Sequence, residues 1–228
     1  MEEIQTGVLY VVATPIGNLN DFTYRARFIL SHVDVIAAED TRTTGVLLRH
    51  YDIKTQLRSY HSYNLKSETP RLINLLSQGK TIALVSDAGT PGISDPGYQL
   101  VQACIEEDIK VIPIPGASAL TAALPVSGLP INRFVFEGFL PLKKGRKTRL
   151  EFLSDEERTV VLYESPHRIQ RTVKDLMEFF GDRRCVMARE ITKKFEEIFR
   201  GKLSDLKTRL EEKKIKGEIV LLIAGKSF

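Results

Sequence analysis

The chain of 228 residues has only two cysteines, Cys104 and Cys185, too few for a disulfide framework or a four-cysteine zinc site. Both lie in apolar stretches and read as small buried hydrophobes. No histidine–cysteine spacing suggests a metal, so none is expected. No apolar run approaches the ~18 residues that span a bilayer. The acidic start, MEEIQTG, lacks the charged-then-apolar pattern of a secretory signal. These absences point to a cytoplasmic protein without a membrane partner. The P-loop pattern is missing, and so is a G-x-G-x-x-G after the first apolar run, which excludes the two commonest phosphate-cradling fingerprints.

What remains is an ordinary globular composition, 43% hydrophobic and 27% charged. Its charge is uneven. Residues 1–130 hold 10 Lys and Arg against 13 Asp and Glu, a net of −3; residues 131–228 hold 23 against 16, a net of +7. A basic half suggests a polyanionic partner, against the plainer reading of scattered surface lysines. Apolar runs at 8–14, 33–39, 80–87 and 109–115 read as strands, with 55–60 a further candidate. Helical patterns near 23–31, 41–50, 70–79 and 96–107 alternate with them. That alternation predicts an α/β fold with a parallel sheet. The Pro-, Gly- and small-residue-rich stretch 115–133 holds a short helix near 117–124 and then a linker. It places the domain boundary near 125, giving domains 1–124 and 125–228. Beyond it, strands are predicted at 133–139, 159–165, 184–190, 196–201 and 217–225, with helices at 146–153, 166–180 and 203–214. Strands 184–190 and 196–201 have no helix between them, which predicts a mixed sheet with a hairpin.

Chemistry is concentrated in loops that follow strands. SDAGTPGISDPG (86–97) carries three glycines and two prolines, and so cannot be regular structure. It leaves the carboxyl end of a parallel strand, where open α/β sheets bind ligands. Glycine permits close backbone approach, and the Asp87 carboxylate accepts hydrogen bonds from hydroxyl or ammonium groups. TPIGNLND (14–21) leaves another strand in the same way. PIPGASALTAAL (113–124) turns through Gly116 into a helix start at Ser118.

SDAGTPGISDPG, VATPIGNLND, AAEDTR (37–42), YESPHR (163–168) and REITKKFEEIFRG (189–201) together resemble the tetrapyrrole (corrin/porphyrin) methylase fold family. The likeness is to its members that methylate the ribose 2′-hydroxyl of a cytidine in small-subunit ribosomal RNA. It runs from about residue 7 to 225. It implies a two-lobed fold, with a parallel-sheet N-terminal domain, a mixed-sheet C-terminal domain and S-adenosyl-L-methionine in the cleft between them. It also implies a homodimer and small-subunit ribosomal RNA, or the 30S particle, as partner. Carried over by position, the cofactor-binding residues are Pro15, Ile16, Gly17 and Asn18; Asp87, Ala88, Gly89 and Thr90; and Ser118 and Ala119. From the second lobe they are Tyr163 and Arg189. One departure is Tyr63-Asn64-Leu65, where the family often reads His-Asn-Glu.

A ribose hydroxyl is a weak acid, so its methylation calls for a general base or a nearby cation. Candidates for the base are Glu39, Asp40, His61, Glu164, His167 and Glu190; the Glu39, Asp40 and Arg42 cluster and Glu190 are placed near the reacting centre, with Arg42 and Lys193 suited to a substrate phosphate or ribose. Asp40 has the alternative of a helix N-cap. Glu164 and Glu190 have the alternative of ion pairing with Arg168 and Arg189, and His61 and His167 that of structural hydrogen bonding. The cluster KKGRKTR (143–149) offers Lys143, Lys144, Arg146, Lys147 and Arg149 to RNA phosphates, against the alternative of a solvated helix start. Phe134, Phe136 and Phe139 read as core. Two rival readings stand: a small-molecule methyltransferase of the same fold, and a non-catalytic RNA- or nucleotide-binding protein.

Overall fold

The computed structural model describes residues 4–228. The chain divides into two compact units, the first ending at Ser118 and the second running Ala119–Phe228. The first unit is built on β1 (Leu9–Val12), β2 (Val35–Ala38), β3 (Gln56–Ser59), β4 (Ile82–Val85) and β5 (Val111–Ile114), in the order β3-β2-β4-β1-β5. Every pairing is parallel. β2 and β4 are buried along their whole length, as strands covered on both faces must be. The two edges differ. β3 (QLRS) is polar and part exposed, and β5 carries Pro113, whose missing N–H is tolerated only at an edge or bulge.

Helices α1 (Tyr24–His32) and α2 (Thr41–His50) pack on one face through Ala26, Ile29, Leu30 and Leu48. Helices α3 (Leu65–Ser77) and α4 (Tyr98–Glu106) pack on the other through Leu72, Leu76, Leu100 and Cys104. β1 and β4 are neighbours whose helices leave to opposite faces, the arrangement that opens a crevice at the carboxyl ends of strands. The sequence places the start of α3 at Pro70; the helix begins five residues earlier. Tertiary contacts hold that extra turn: Glu68 pairs with Arg58 of β3 and with Arg71, and the Tyr60 and Thr69 hydroxyls are 3.0 Å apart.

The second unit has β6 (Phe134–Phe139), β7 (Thr159–Glu164), β8 (Arg184–Arg189), β9 (Glu197–Lys202) and β10 (Ile219–Ile223), ordered β6-β7-β10-β8-β9. β6 and β7 are parallel and the other pairings antiparallel, with β8–β9 the hairpin. Along β10, Ile219, Leu221 and Ile223 face α6 (Arg146–Ser154), α7 (Ile169–Phe180) and α8 (Leu203–Glu212), whereas Val220 and Leu222 face the short α5 (Ala119–Ala123). Leu120, Ala123 and Leu124 bind α5 to this sheet, so the units part after Ser118, before the Pro/Gly-rich stretch ends. Phe134 and Phe139 are exposed, not core. β6 is an edge strand, and a bulge at Glu137, between Phe136 and Gly138, shifts its register and turns Phe139 toward the Tyr163 ring. Cys104 and Cys185 are buried and unbridged. Burial pushes their thiols up to about 11 and about 12. Among the described residues no helix is long and apolar enough to cross a membrane.

Candidate active site at the strand ends of the first unit

Four loops leave the carboxyl edge of the first sheet, and hydrogen bonds bind them together. Thr14, past β1, exchanges two hydrogen bonds with Gly89, past β4: Thr14 N–H donates at 2.9 Å and Gly89 N–H returns at 3.0 Å. Thr90 Oγ1 donates to Ala117 O, past β5, at 3.2 Å. Asp40 N–H, past β2, donates to Asp87 Oδ1 at 3.0 Å. Gly89 has φ +82°, in the left-handed region, and a Cβ there would lie 3.4 Å from Ile16 Cγ2. At Gly116 a Cβ would come within 3.0 Å of the Ala13 Cβ. The glycines therefore let the backbones of three loops approach one another closely.

Pro15, Ile16, Gly17, Asn18, Ala88 and Thr90 all lie on these joined loops. Asn18 caps a 3-10 turn at Leu19–Asp21, accepting from Asn20 N–H. Asp87 is exposed, with its carboxyl raised above the ordinary range by desolvation and by the neighbouring Asp40 charge. Glu39 is raised too, first by burial and then by the charge of Asp87. Asp40 behaves oppositely. It is the N-cap of α2, accepting from Arg42 N–H at 2.8 Å, and it binds the Arg42 guanidinium at 2.6 Å. Those bonds to Arg42 hold its carboxyl down to about 2. Of the two adjacent acids, Glu39 is thus the better proton acceptor near neutrality. His61 is close enough for its charge to act on Glu39, and its Nδ1 is buried without a hydrogen-bond partner.

Apart from Ser118, the remaining candidates lie in the second unit, and most are committed to partners. Tyr163 Oη accepts from Leu120 N–H at 3.1 Å, and its ring meets Phe136 and Phe139 edge-on. Ala119 opens α5, which is five residues long; Ser118, the last residue of the first unit, is buried. Arg189 is ion-paired to Glu197 at 2.9 Å, and Glu197 also binds Arg209. Lys193 sits between Glu190 at 3.0 Å and Glu218 at 2.9 Å. Burial works against the Glu190 charge, but the Glu218 N–H and the Lys193 ammonium outweigh it and hold the carboxyl below its ordinary value. Glu190 (φ +51°) and Thr192 (φ +68°) bear left-handed strain in this loop. Glu164 is buried and paired to Arg168 at 3.3 Å.

KKGRKTR does not present five open cations. Arg146 has a side chain only 5% exposed, bound to Asp175 at 2.7 Å, Thr172 Oγ1 at 2.8 Å and Pro141 O at 3.1 Å, which corrects its reading as an RNA contact. Arg149 forks onto Glu137 and covers the Phe152 ring. Lys143, Lys144 and Lys147 are exposed.

The model of the tetrapyrrole (corrin/porphyrin) methylases matches residues 8–207. The chain is 55% identical to a ribosomal RNA small subunit methyltransferase I of Synechocystis sp., over 96% of this chain and 79% of that one. It is 50% identical to the protein of the same name in Thermotoga maritima, over 96% and 99%. Among solved structures, a cobalt precorrin-4 methyltransferase superposes with TM-score 0.69 at 18% identity, covering 96% of this chain and 95% of that one, a likeness of fold alone. With a match across most of its length and relatives at least half identical over nearly all of it, the chain belongs to the tetrapyrrole (corrin/porphyrin) methylases, in the branch of the ribosomal RNA small subunit methyltransferase I proteins.

Proposed function

We propose that the protein transfers a methyl group from S-adenosylmethionine to small-subunit ribosomal RNA, at the ribose 2′-hydroxyl of a cytidine. The observation that carries this reading is the knot of four loops at one strand edge, where Glu39 and Asp87 are both raised. The relatives' names support the RNA, and the family supports a methyl donor.

This edge suits the donor. The closeness of Gly89 to Ile16 and of Gly116 to Ala13 lets backbone N–H and C=O groups meet an adenosine and an amino-acid end. Asn18 and Asp87 supply polar atoms beside Pro15–Gly17 and Ala88–Thr90. When bound, the cofactor supplies an electrophilic methyl on its sulfonium. The protein holds the acceptor hydroxyl in line with it, which is the larger part of the catalytic task. Glu39 would take the hydroxyl proton as the new O–C bond forms and the methyl–sulfur bond breaks to leave a neutral thioether, and its raised pKa brings it nearer the working pH. Arg42, paired to Asp40 and outward-facing, offers its remaining donors to a phosphate or ribose. Glu190 and Lys193 brace the β8–β9 loop. Lys143, Lys144 and Lys147, with the part-exposed Arg149, contact RNA phosphates.

The family resemblance supports two further parts of the reading: a homodimer, which analytical ultracentrifugation tests, and a cytoplasmic location. The central test is methylation of small subunits purified from cells lacking the protein, with labelled cofactor and mapping of ribose methyls. Label on a cytidine 2′-oxygen is expected. Label on a base, or no transfer, rejects the reading.

A further inference from the structure

Three large rings of the first unit stand in solvent: Tyr24 is 93% exposed, Tyr63 94% and Tyr98 67%. Each belongs to a segment that follows a strand. Tyr24 is the first residue of α1 after β1, Tyr98 the first of α4 after β4, and Tyr63 lies in the turn between β3 and α3. In a parallel strand–helix unit the helix begins where the strand ends, so all three rim the edge that carries the knotted loops. The strands that precede Tyr63, Arg42, Tyr98 and Tyr24 lie side by side in the order β3, β2, β4, β1. Tyr63 and Tyr98 open segments on one face of the sheet, and Arg42 and Tyr24 on the other.

The rings are held in place. Around Tyr63, Asn64 Oδ1 accepts from His61 N–H and Asn64 Nδ2 donates to Ser59 O, both at 2.9 Å, and the His61 ring meets Tyr63 edge-on at 6.0 Å. Tyr98 follows Gly97, where a Cβ would come within 3.3 Å of Leu84 of β4, so that helix start is pressed onto the strand end. Tyr24 follows the cap Thr23, whose Oγ1 accepts from Ala26 N–H.

Charge indicates what these rings meet. Residues 1–118 carry 10 cations against 13 anions, so this unit does not attract a polyanion as a whole. Stacking on a base face needs no net charge, and it is how proteins grip unpaired RNA bases. The Arg42 side chain, 89% exposed at the start of α2, adds a planar cation for a base or a phosphate. We propose that Tyr63, Tyr98 and Tyr24, with Arg42 among them, form a stacking rim for the unpaired nucleobases flanking the methylated nucleotide. This rests on the RNA reading above.

The test measures binding of a labelled unstructured RNA oligonucleotide, and KM for unmethylated small subunits, with alanine and phenylalanine variants of the three tyrosines. Tyr63→Ala and Tyr98→Ala should each weaken RNA binding about 5- to 150-fold, the worth of one base–aromatic stack. Tyr63→Phe and Tyr98→Phe should keep it. S-adenosylmethionine affinity and the salt slope of RNA binding should hold throughout. Ile105→Ala, an exposed residue near the far end of α4, should match wild type. Wild-type KM in both alanine variants, on subunits that the wild-type enzyme does methylate, overturns the rim and leaves the RNA reading standing. A dimer that dissociates in the alanine variants assigns the rings to a second copy of the chain and overturns it as well. A wild-type protein that methylates no RNA removes the reading on which the rim depends.

Discussion

The two units differ in how completely their acids are satisfied. In the second, acids and bases are spent on each other: Arg146 on Asp175, Arg149 on Glu137, Arg189 and Arg209 on Glu197, Lys193 on Glu190 and Glu218. Its perturbed carboxyls, Asp155, Glu156, Asp182, Glu190 and Glu197, all move down. In the first, Asp34 and Asp40 also move down, but Glu39 and Asp87 move up. A lowered acid is one the fold has satisfied. A raised acid, desolvated and kept close to another, is stored chemistry. A surplus of basic residues in a sequence is therefore a poor measure of the positive surface that remains once the chain has folded.

The largest test of this contrast sets Glu39 against Glu190. Glu39→Gln should lower kcat about 10²- to 10⁴-fold, the usual worth of a general base, while Glu190→Gln should lower it far less. The wild-type rate should fall as pH drops through the Glu39 pKa, above the ordinary 4.5, because only the carboxylate accepts a proton. Equal losses in the two variants would break the contrast. Next comes Arg146→Ala, expected to cost about 3 kcal/mol by stranding the part-buried Asp175; an unchanged melting temperature would return Arg146 to the RNA surface. Asp87→Ala should weaken S-adenosylmethionine about tenfold by isothermal titration, through loss of a charge-assisted hydrogen bond. Intact affinity takes Asp87 out of the site.

Replacing Lys143, Lys144 and Lys147 together by alanine should leave the fold unchanged and flatten the salt dependence of RNA binding, by up to about 0.7 to 0.9 in log–log slope for each phosphate no longer neutralised. An unchanged slope makes them plain surface. The smallest effect is structural. Thr81, through its backbone N–H and hydroxyl, and then Lys80 hold Asp34 down to about 2. The folded pKa lies below the ordinary 3.8, so this stabilisation is present above about pH 4 and is lost as pH falls toward 2. Asp34→Ala should cost about 1 kcal/mol at neutral pH, since the group is part exposed. No added acid sensitivity in wild type relative to the variant would discount it.

The strands and helices were legible because their signals are local. β2 and β4 are unbroken apolar runs, and α2 opens on an Asp cap. Composition marks the linker near 125, whereas Leu120, Ala123 and Leu124 pack α5 onto the second sheet and the compact units part after Ser118. Likewise, SDAGTPGISDPG stands out as a loop by its glycines and prolines, but its bonds to Thr14, Asp40 and Ala117 join residues far apart in the chain. Tyr24, Tyr63 and Tyr98 carry no pattern at all in the sequence; strand order alone lines them up.

By itself the sequence determined the α/β class, the elements, and the loops able to take a ligand, since these follow from hydrophobic period and from the φ preferences of glycine and proline within short windows. Only the tertiary structure decided which charged groups stay available. Pairing and burial depend on what the folded backbone brings opposite each side chain, which is why Arg146 vanished into a helix pair while Glu39 came to rest beside Asp87.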